Sequence, residues 1–259
     1  MLVDADGCRI NVEVEGAEGA PAVVFSNSLG TNLHMWDDQA KAFAKHFRVI
    51  RYDQRGHGKS DAPEHPYSLD RLGRDVLAIL DHLGIKKAHF VGLSMGGCTG
   101  MWLGRHARDR FGKLVLSNTG AKIGNAELWN GRIQTVLKDG MKAVVDTVLE
   151  RWFTAEFRKR QPAVVARVRE MLLTTPPAGY AGCSAALRDM DERAGISEIK
   201  APTLVIAGKR DPATPPESGE FVASRIKDAK FVVLDAAHLA NLEQAATYND
   251  TIEKFLRKD

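Results

Sequence analysis

The chain has 259 residues, of which 44% are hydrophobic and 27% charged, and its formal net charge is +3. That length allows one large domain, or a domain with an insertion, built on a substantial core. A charge this small, with Arg158, Lys159 and Arg160 mixed among acids, fits solvated helix faces and argues against a nucleic-acid partner. Cys8, Cys98 and Cys183 are odd in number and far apart, which points to reduced thiols in a cytoplasmic protein rather than a disulfide framework. Asp4 and Asp6 interrupt the N-terminus where a leader would be basic and then apolar. No apolar run reaches the ~18 residues of a membrane span, so no membrane partner is expected.

The chain opens with a period-two alternation, Arg9-Ile10-Asn11-Val12-Glu13-Val14, expected of an antiparallel ribbon over residues 1–16. Ala22-Val23-Val24-Phe25-Ser26 reads as a strand covered on both faces. A loop at 27–31, a helix over 35–46 and a strand at 48–52 follow. Ser68 caps a helix that carries Leu72, Val76, Ile79, Leu80 and Leu83 on one side and ends at Gly84. Strands are expected again at 88–91 and 113–117. From 121 to 195 the alternation stops, and helix-like segments are broken only by Pro176-Pro177. Alternation resumes with a strand at 203–207, a helix from Glu217, a strand at 231–234 and a last helix over 239–256. Alternating strands and helices predict a mostly parallel, doubly wound α/β sheet with antiparallel N-terminal strands. The domain division follows: a core of 1–120 plus 196–259, and an inserted helical cap at 121–195.

Gly92-Leu93-Ser94-Met95-Gly96 lies where a buried strand passes into a helix. Glycines on either side let strand and helix approach closely, so the turn lifts the Ser94 hydroxyl above the sheet edge. A serine hydroxyl needs a base to become a nucleophile, usually a histidine held by a carboxylate. His238 follows the 231–234 strand and so falls at the same sheet edge as Ser94; His57, in a glycine-rich loop, is its rival. Asp211 follows the 203–207 strand, with Asp235 as the less favourable alternative. Two backbone amides are expected to hold an oxyanion, that of Met95 and that of Leu29 in the loop after the 22–26 strand. Cys98, one turn beyond Ser94, reads as a packing residue. No histidine spacing suggests a metal, and the triad needs no cofactor.

Asn27–Gly30, Asp53-Gln54-Arg55-Gly56-His57-Gly58-Lys59-Ser60, the Ser94 turn, Asp211 and His238 together resemble the α/β-hydrolases over the whole chain. One departure is Asn27-Ser28, where many members carry His-Gly. Within that superfamily, residues 26–36 and Trp129-Asn130-Gly131-Arg132-Ile133 resemble 3-oxoadipate enol-lactonases of aromatic catabolism. The resemblance implies a small lactone bearing a carboxylate as substrate, with Arg132 meeting the carboxylate and Trp129 and Trp152 shaping an apolar pocket. It also leaves room for a general carboxylesterase or perhydrolase, for a hydrolase of C–C bonds in ring-cleavage products, and for a ligand receptor on the same scaffold.

Overall fold

The computed structural model describes residues 1–258. Strands β1 (Leu2–Asp4) and β2 (Arg9–Glu15) pair antiparallel, with Val3 opposite Ile10. The alternation in β2 buries Ile10 and Val12 and turns Arg9 outward. β2 then pairs antiparallel with β4 (Arg48–Tyr52). The remaining pairings are parallel and involve β3 (Ala22–Ser26), β5 (Ala88–Leu93), β6 (Phe111–Ser117), β7 (Thr203–Gly208) and β8 (Lys230–Leu234). The eight strands run in the order β1-β2-β4-β3-β5-β6-β7-β8. Every residue of β3 and β7 is buried, which explains why both read as unbroken apolar runs.

Helices cover both faces of this sheet. α1 (Asp37–Phe43) packs against the C-terminal α11 (Ala245–Arg257), and α2 (Leu69–His82) packs against α3 (Met95–His106). Ser68 caps α2 by accepting from Arg71 N at 3.1 Å, and Gly84 ends the segment with φ +65. α9 (Pro216–Arg225) covers β7 and β8. Among the described residues, no helix is long and apolar enough to cross a membrane.

Two expected helices differ in detail. The first begins with a tight 3₁₀ turn, Leu33–Trp36, before α1. That turn wedges Trp36 against Phe25 and near Tyr248, with ring centroids 5.1 and 6.3 Å apart. The last helix is broken at Gln244 (φ −127, ψ 42). The short α10 (Ala240–Glu243) is thereby kept out of line with α11, so that Asn241 Nδ2 reaches Met35 O at 2.9 Å and Glu243 reaches Thr154. Side-chain bonds to the core outweigh helix continuation at that point.

Residues 121–195 lie between β6 and β7 and are helical: α4 (Ala126–Asp139), α5 (Val145–Trp152), α6 (Ala155–Arg160), α7 (Pro162–Thr174) and α8 (Pro177–Asp189). Pro162 and Pro177 each open a helix, where the missing N–H costs nothing. α8 docks on the 53–60 loop through a backbone-to-backbone approach. A Cβ on Gly179 would fall 2.0 Å from Gly56 O. Gly179→Ala is therefore expected to lower the melting temperature by about 5 °C in differential scanning calorimetry, the scale of an overpacked core site in a chain this long. An unchanged melting temperature would mean that the approach constrains nothing.

Candidate active site

Ser94 sits between β5 and α3 with φ 58 and ψ −113, a conformation that L residues rarely adopt. Its neighbours allow it because they lack side chains. A Cβ on Gly92 would lie 2.1 Å from Gly96 O, and one on Gly96 would lie 2.2 Å from Ser26 O. The strained peptide is pinned on both sides: Ser94 N donates to Ser117 O at 2.9 Å, while Thr119 Oγ1 donates to Ser94 O at 2.8 Å. Cys98 is wholly buried in α3 beside Thr119 and packs there.

The loops after β7 and β8 bring Asp211 and His238 together. His238 Nδ1 and Asp211 Oδ2 are 2.7 Å apart, and both side chains are buried. Asp211 also accepts from Ala213 N (2.8 Å), Thr214 N (3.0 Å), Thr214 Oγ1 (2.7 Å) and Asn118 Nδ2 (3.1 Å). Burial works to raise its carboxyl, but the charge and hydrogen bond of His238 and the Thr214 bonds outweigh it and hold Asp211 below the usual range. With Nδ1 committed to Asp211, Nε2 is the ring nitrogen left for chemistry. His238 lines the same cavity as Ser94. Asp235, by contrast, lies on the surface, where Arg210 meets it at 3.1 Å.

His57 is engaged elsewhere. It is fully buried, its Nε2 accepts from Gly30 N at 2.8 Å, and its Nδ1 donates to Arg55 O at 3.1 Å. The imidazole is therefore neutral and braces the loop after β3. That loop has few backbone amides to spare. Ser28 N points to Met35 Sδ, Gly30 N to His57 and Thr31 N to Ser28 O. On the opposite side, Ser94 N and Gly96 N are bonded to Ser117 O and Asn27 O. Among the described residues, the amides of Leu29 and Met95 have no such bond; Leu29 lines the cavity with Ser94, and Met95 directly follows Ser94 at the start of α3.

Helices between β6 and β7 line much of this cavity. Trp152 lies 5.7 Å from the His238 ring at an interplanar angle of 31°. Trp129 is fixed by its Nε1–H bond to Ile123 O at 2.7 Å, and the Arg132 guanidinium lies 5.8 Å from its ring centroid. Arg132 Nη1 also reaches Tyr180 Oη at 3.3 Å. Among the lining residues that sequence reasoning missed are Tyr180 and Arg151. Arg151 is half-buried and donates to Pro212 O at 3.1 Å. Burial raises the Tyr180 phenol, while the charges of Arg132 and Arg151 pull it down, so both cations act on one region of the cavity. Asn118 and Thr214, which hold Asp211, were also missed. Asp211-Pro212-Ala213-Thr214 carries the only prior signal, a turn-forming Asp followed by a hydroxyl.

A serine in a strained strand-to-helix turn and a histidine that lines the same cavity and is paired with a buried aspartate are the kinds of group that acyl transfer uses. Comparison with known proteins agrees. A family model described as alpha/beta hydrolase fold matches residues 21–245, and the chain belongs to this family. It is 42% identical to 3-oxoadipate enol-lactonase 2 of Acinetobacter baylyi over 254 residues, covering 98% of this chain and 95% of that protein. It is 41% identical to 3-oxoadipate enol-lactonase 1 of the same organism, over 99% and 96% of the two chains. The crystal structure of the enol-lactonase from Burkholderia xenovorans LB400 superposes with a TM-score of 0.98 at 42% identity, covering both chains fully.

The buried histidine brace predicts acid sensitivity. Burial lowers His57 from 6.5 to about 4, outweighing the hydrogen bond to the Arg55 carbonyl and the charge of Asp53, which pull the other way. Its stabilising contribution is complete above pH 6.5 and is lost as pH falls towards 4, because the unfolded chain takes up a proton that the folded chain refuses. Urea unfolding should therefore show stability falling across that window at about 1.4 kcal/mol per pH unit from this group. His89, lowered likewise by burial, titrates in the same range, so the comparison is with His57→Gln, whose decline should be shallower. Equal slopes in the two proteins would contradict a neutral, bracing His57.

Proposed function

We propose that this protein hydrolyses 3-oxoadipate enol-lactone to 3-oxoadipate through an acyl-enzyme on Ser94. The observation that carries the reading is full-length likeness to two 3-oxoadipate enol-lactonases, in a chain whose Ser94 cavity also holds two arginines. In this account, 121–195 is a cap over the strand ends of a core formed by 1–120 and 196–259. The Ser94 oxygen attacks the lactone carbonyl as its proton passes to His238 Nε2, and Asp211 stabilises the imidazolium through Nδ1. The carbonyl electron pair moves onto oxygen, which Leu29 N–H and Met95 N–H receive; each such donor is worth about 3 kcal/mol of barrier. Collapse breaks the ring C–O bond and leaves the pair on an enolate oxygen. That leaving group is stabilised by conjugation and needs little acid assistance to depart; the His238 imidazolium then gives its proton to the released enolate, which leaves the ring neutral again. Water, deprotonated by His238, then releases the acid and restores the serine.

The substrate keeps a free carboxylate away from the reacting carbonyl, and a carboxylate entering an apolar cavity needs a cation. Arg132 fills that role, and Arg151 joins it. Trp129 and Trp152 provide the apolar walls beside them. This requirement separates the lactone from neutral esters, which would gain nothing from two half-buried guanidiniums at the cavity. The activity belongs in the β-ketoadipate route of aromatic catabolism, and the three free cysteines fit a reducing cytoplasm.

Two outcomes test the reading. Ser94→Ala should lose turnover of the enol-lactone, followed by its ultraviolet absorbance, while keeping its melting temperature; turnover at the wild-type rate would refute it. Arg132→Ala and Arg151→Ala should each lower kcat/KM for the acidic lactone about 10-fold or more, the scale of one charge-assisted hydrogen bond, with a much smaller change for phenyl acetate. Equal losses on both substrates would remove the arginines from carboxylate recognition.

A further inference from the structure

We propose that the side-chain hydroxyl of Ser28 is a third donor to the oxyanion formed at Ser94. The inference rests on the reading of Ser94 as an ester-attacking nucleophile, but not on the identity of the ester.

Several buried polar side-chain atoms lack a hydrogen-bond partner among the described residues, including Asn27 Oδ1, Gln54 Oε1 and Ser28 Oγ. Of the residues that carry such atoms, Ser28 is the one that lines the cavity with Leu29, Ser94 and His238. Its residue is 0% exposed, so bulk water does not satisfy the hydroxyl. Buried hydroxyls in native proteins almost always find a partner, and an orphan calls for an explanation in function or in a bound molecule. The nearby hydroxyls follow the rule: Ser26 Oγ pairs with Tyr52 Oη at 2.8 Å, and Thr31 Oγ1 donates to Ser28 O at 2.8 Å.

The loop cannot easily turn to find Ser28 a partner. Its amide faces Met35 Sδ at 3.4 Å, its carbonyl accepts from Thr31, and two residues later Gly30 is held by His57 and by Thr175 Oγ1, which donates to Gly30 O at 3.0 Å. Ser28 also directly precedes Leu29, whose free amide is the proposed oxyanion donor from this loop. A donor built into a fixed loop and left without an acceptor in the resting protein suits an acceptor that appears only during reaction. When Ser94 Oγ bonds to the acyl carbon, the carbonyl pair moves onto oxygen and Ser28 O–H donates to it, keeping its proton. When the pair returns and the ester C–O bond breaks, the hydroxyl is released unchanged.

The test compares Ser28→Ala with the full-length parent protein in kcat and KM for the enol-lactone and for phenyl acetate, in inhibition by a phenylalkyl boronic acid that forms a tetrahedral adduct with Ser94, and in thermal unfolding. The expected result is a fall in kcat of about 100-fold on any ester that the parent turns over, as for loss of one oxyanion donor. KM should stay within about twofold, and boronate binding should weaken alongside kcat, as expected for an interaction made only in the transition state. The melting temperature should hold or rise, because a penalty is removed with the orphan hydroxyl. Unchanged kcat overturns the proposal, whatever the melting temperature does. So does a fall in kcat with boronate binding intact. If the parent cleaves phenyl acetate but not the lactone, the substrate reading fails, and the phenyl acetate comparison still decides the role of Ser28.

Discussion

The architecture turns on one costly peptide. Ser94 is held at φ 58 in the step from β5 to α3, a backbone state that costs of order 1–3 kcal/mol and survives only where its surroundings overdetermine it. Those surroundings are specific. Gly92 and Gly96 clear the space, Ser117 and Thr119 on the β6 side tether both ends of the residue, and Asn27 on the β3 side accepts from Gly96. The same bonds that hold the strain also bring the loops after β3 and β6 up to the serine. Parallel strands with their carboxyl ends together make this possible, because each strand delivers its loop to the same edge.

Around that point the molecule is braced in two directions. Loop 53–60 ties the β3 loop to the helical insertion: Asp53 Oδ1 accepts from Leu33 N at 2.8 Å, His57 holds Gly30, and Gly56 abuts Gly179. Arg55 anchors the brace to α2 through a paired, buried contact with Asp75, at 2.6 Å on both oxygens. On the other side, Glu243 joins the insertion to the loop that carries His238, accepting from Thr154 Oγ1 at 2.6 Å and from Ala237 N. Leu239 N donates to Trp152 O at 3.2 Å nearby. The helical segment between β6 and β7 is therefore held to the rest of the chain through Gly179 on one side and through Trp152 and Thr154 on the other.

The sheet and the strand-end residues were legible because each rests on a local rule. β3 and β7 announce themselves as apolar runs, β2 by alternation, and the serine turn by glycines that nothing else could replace. Asp211 and His238 meet because a parallel sheet puts the ends of β7 and β8 next to each other, a fact of topology that the order of elements already implies. Arg151 had no such signal. It sits on an amphipathic helix where an arginine normally faces water, and only the docking of α5 beside Pro212 brings it to the cavity. Tyr180 and Asn118 were hidden for the same reason, since long-range packing alone decides what they touch. The break at Gln244 escaped because the local pattern favours a continuous helix, and the bonds that interrupt it come from residues far away in the chain.

The most direct test of the whole account is acid quenching during turnover of the enol-lactone, followed by mass spectrometry of the intact protein and its peptides. Opening a ring expels no fragment, so the account predicts a transient gain equal to the mass of the entire lactone, located on Ser94. An adduct on another residue, or steady turnover with no covalent species at any quench time and none in His238→Ala, would contradict it.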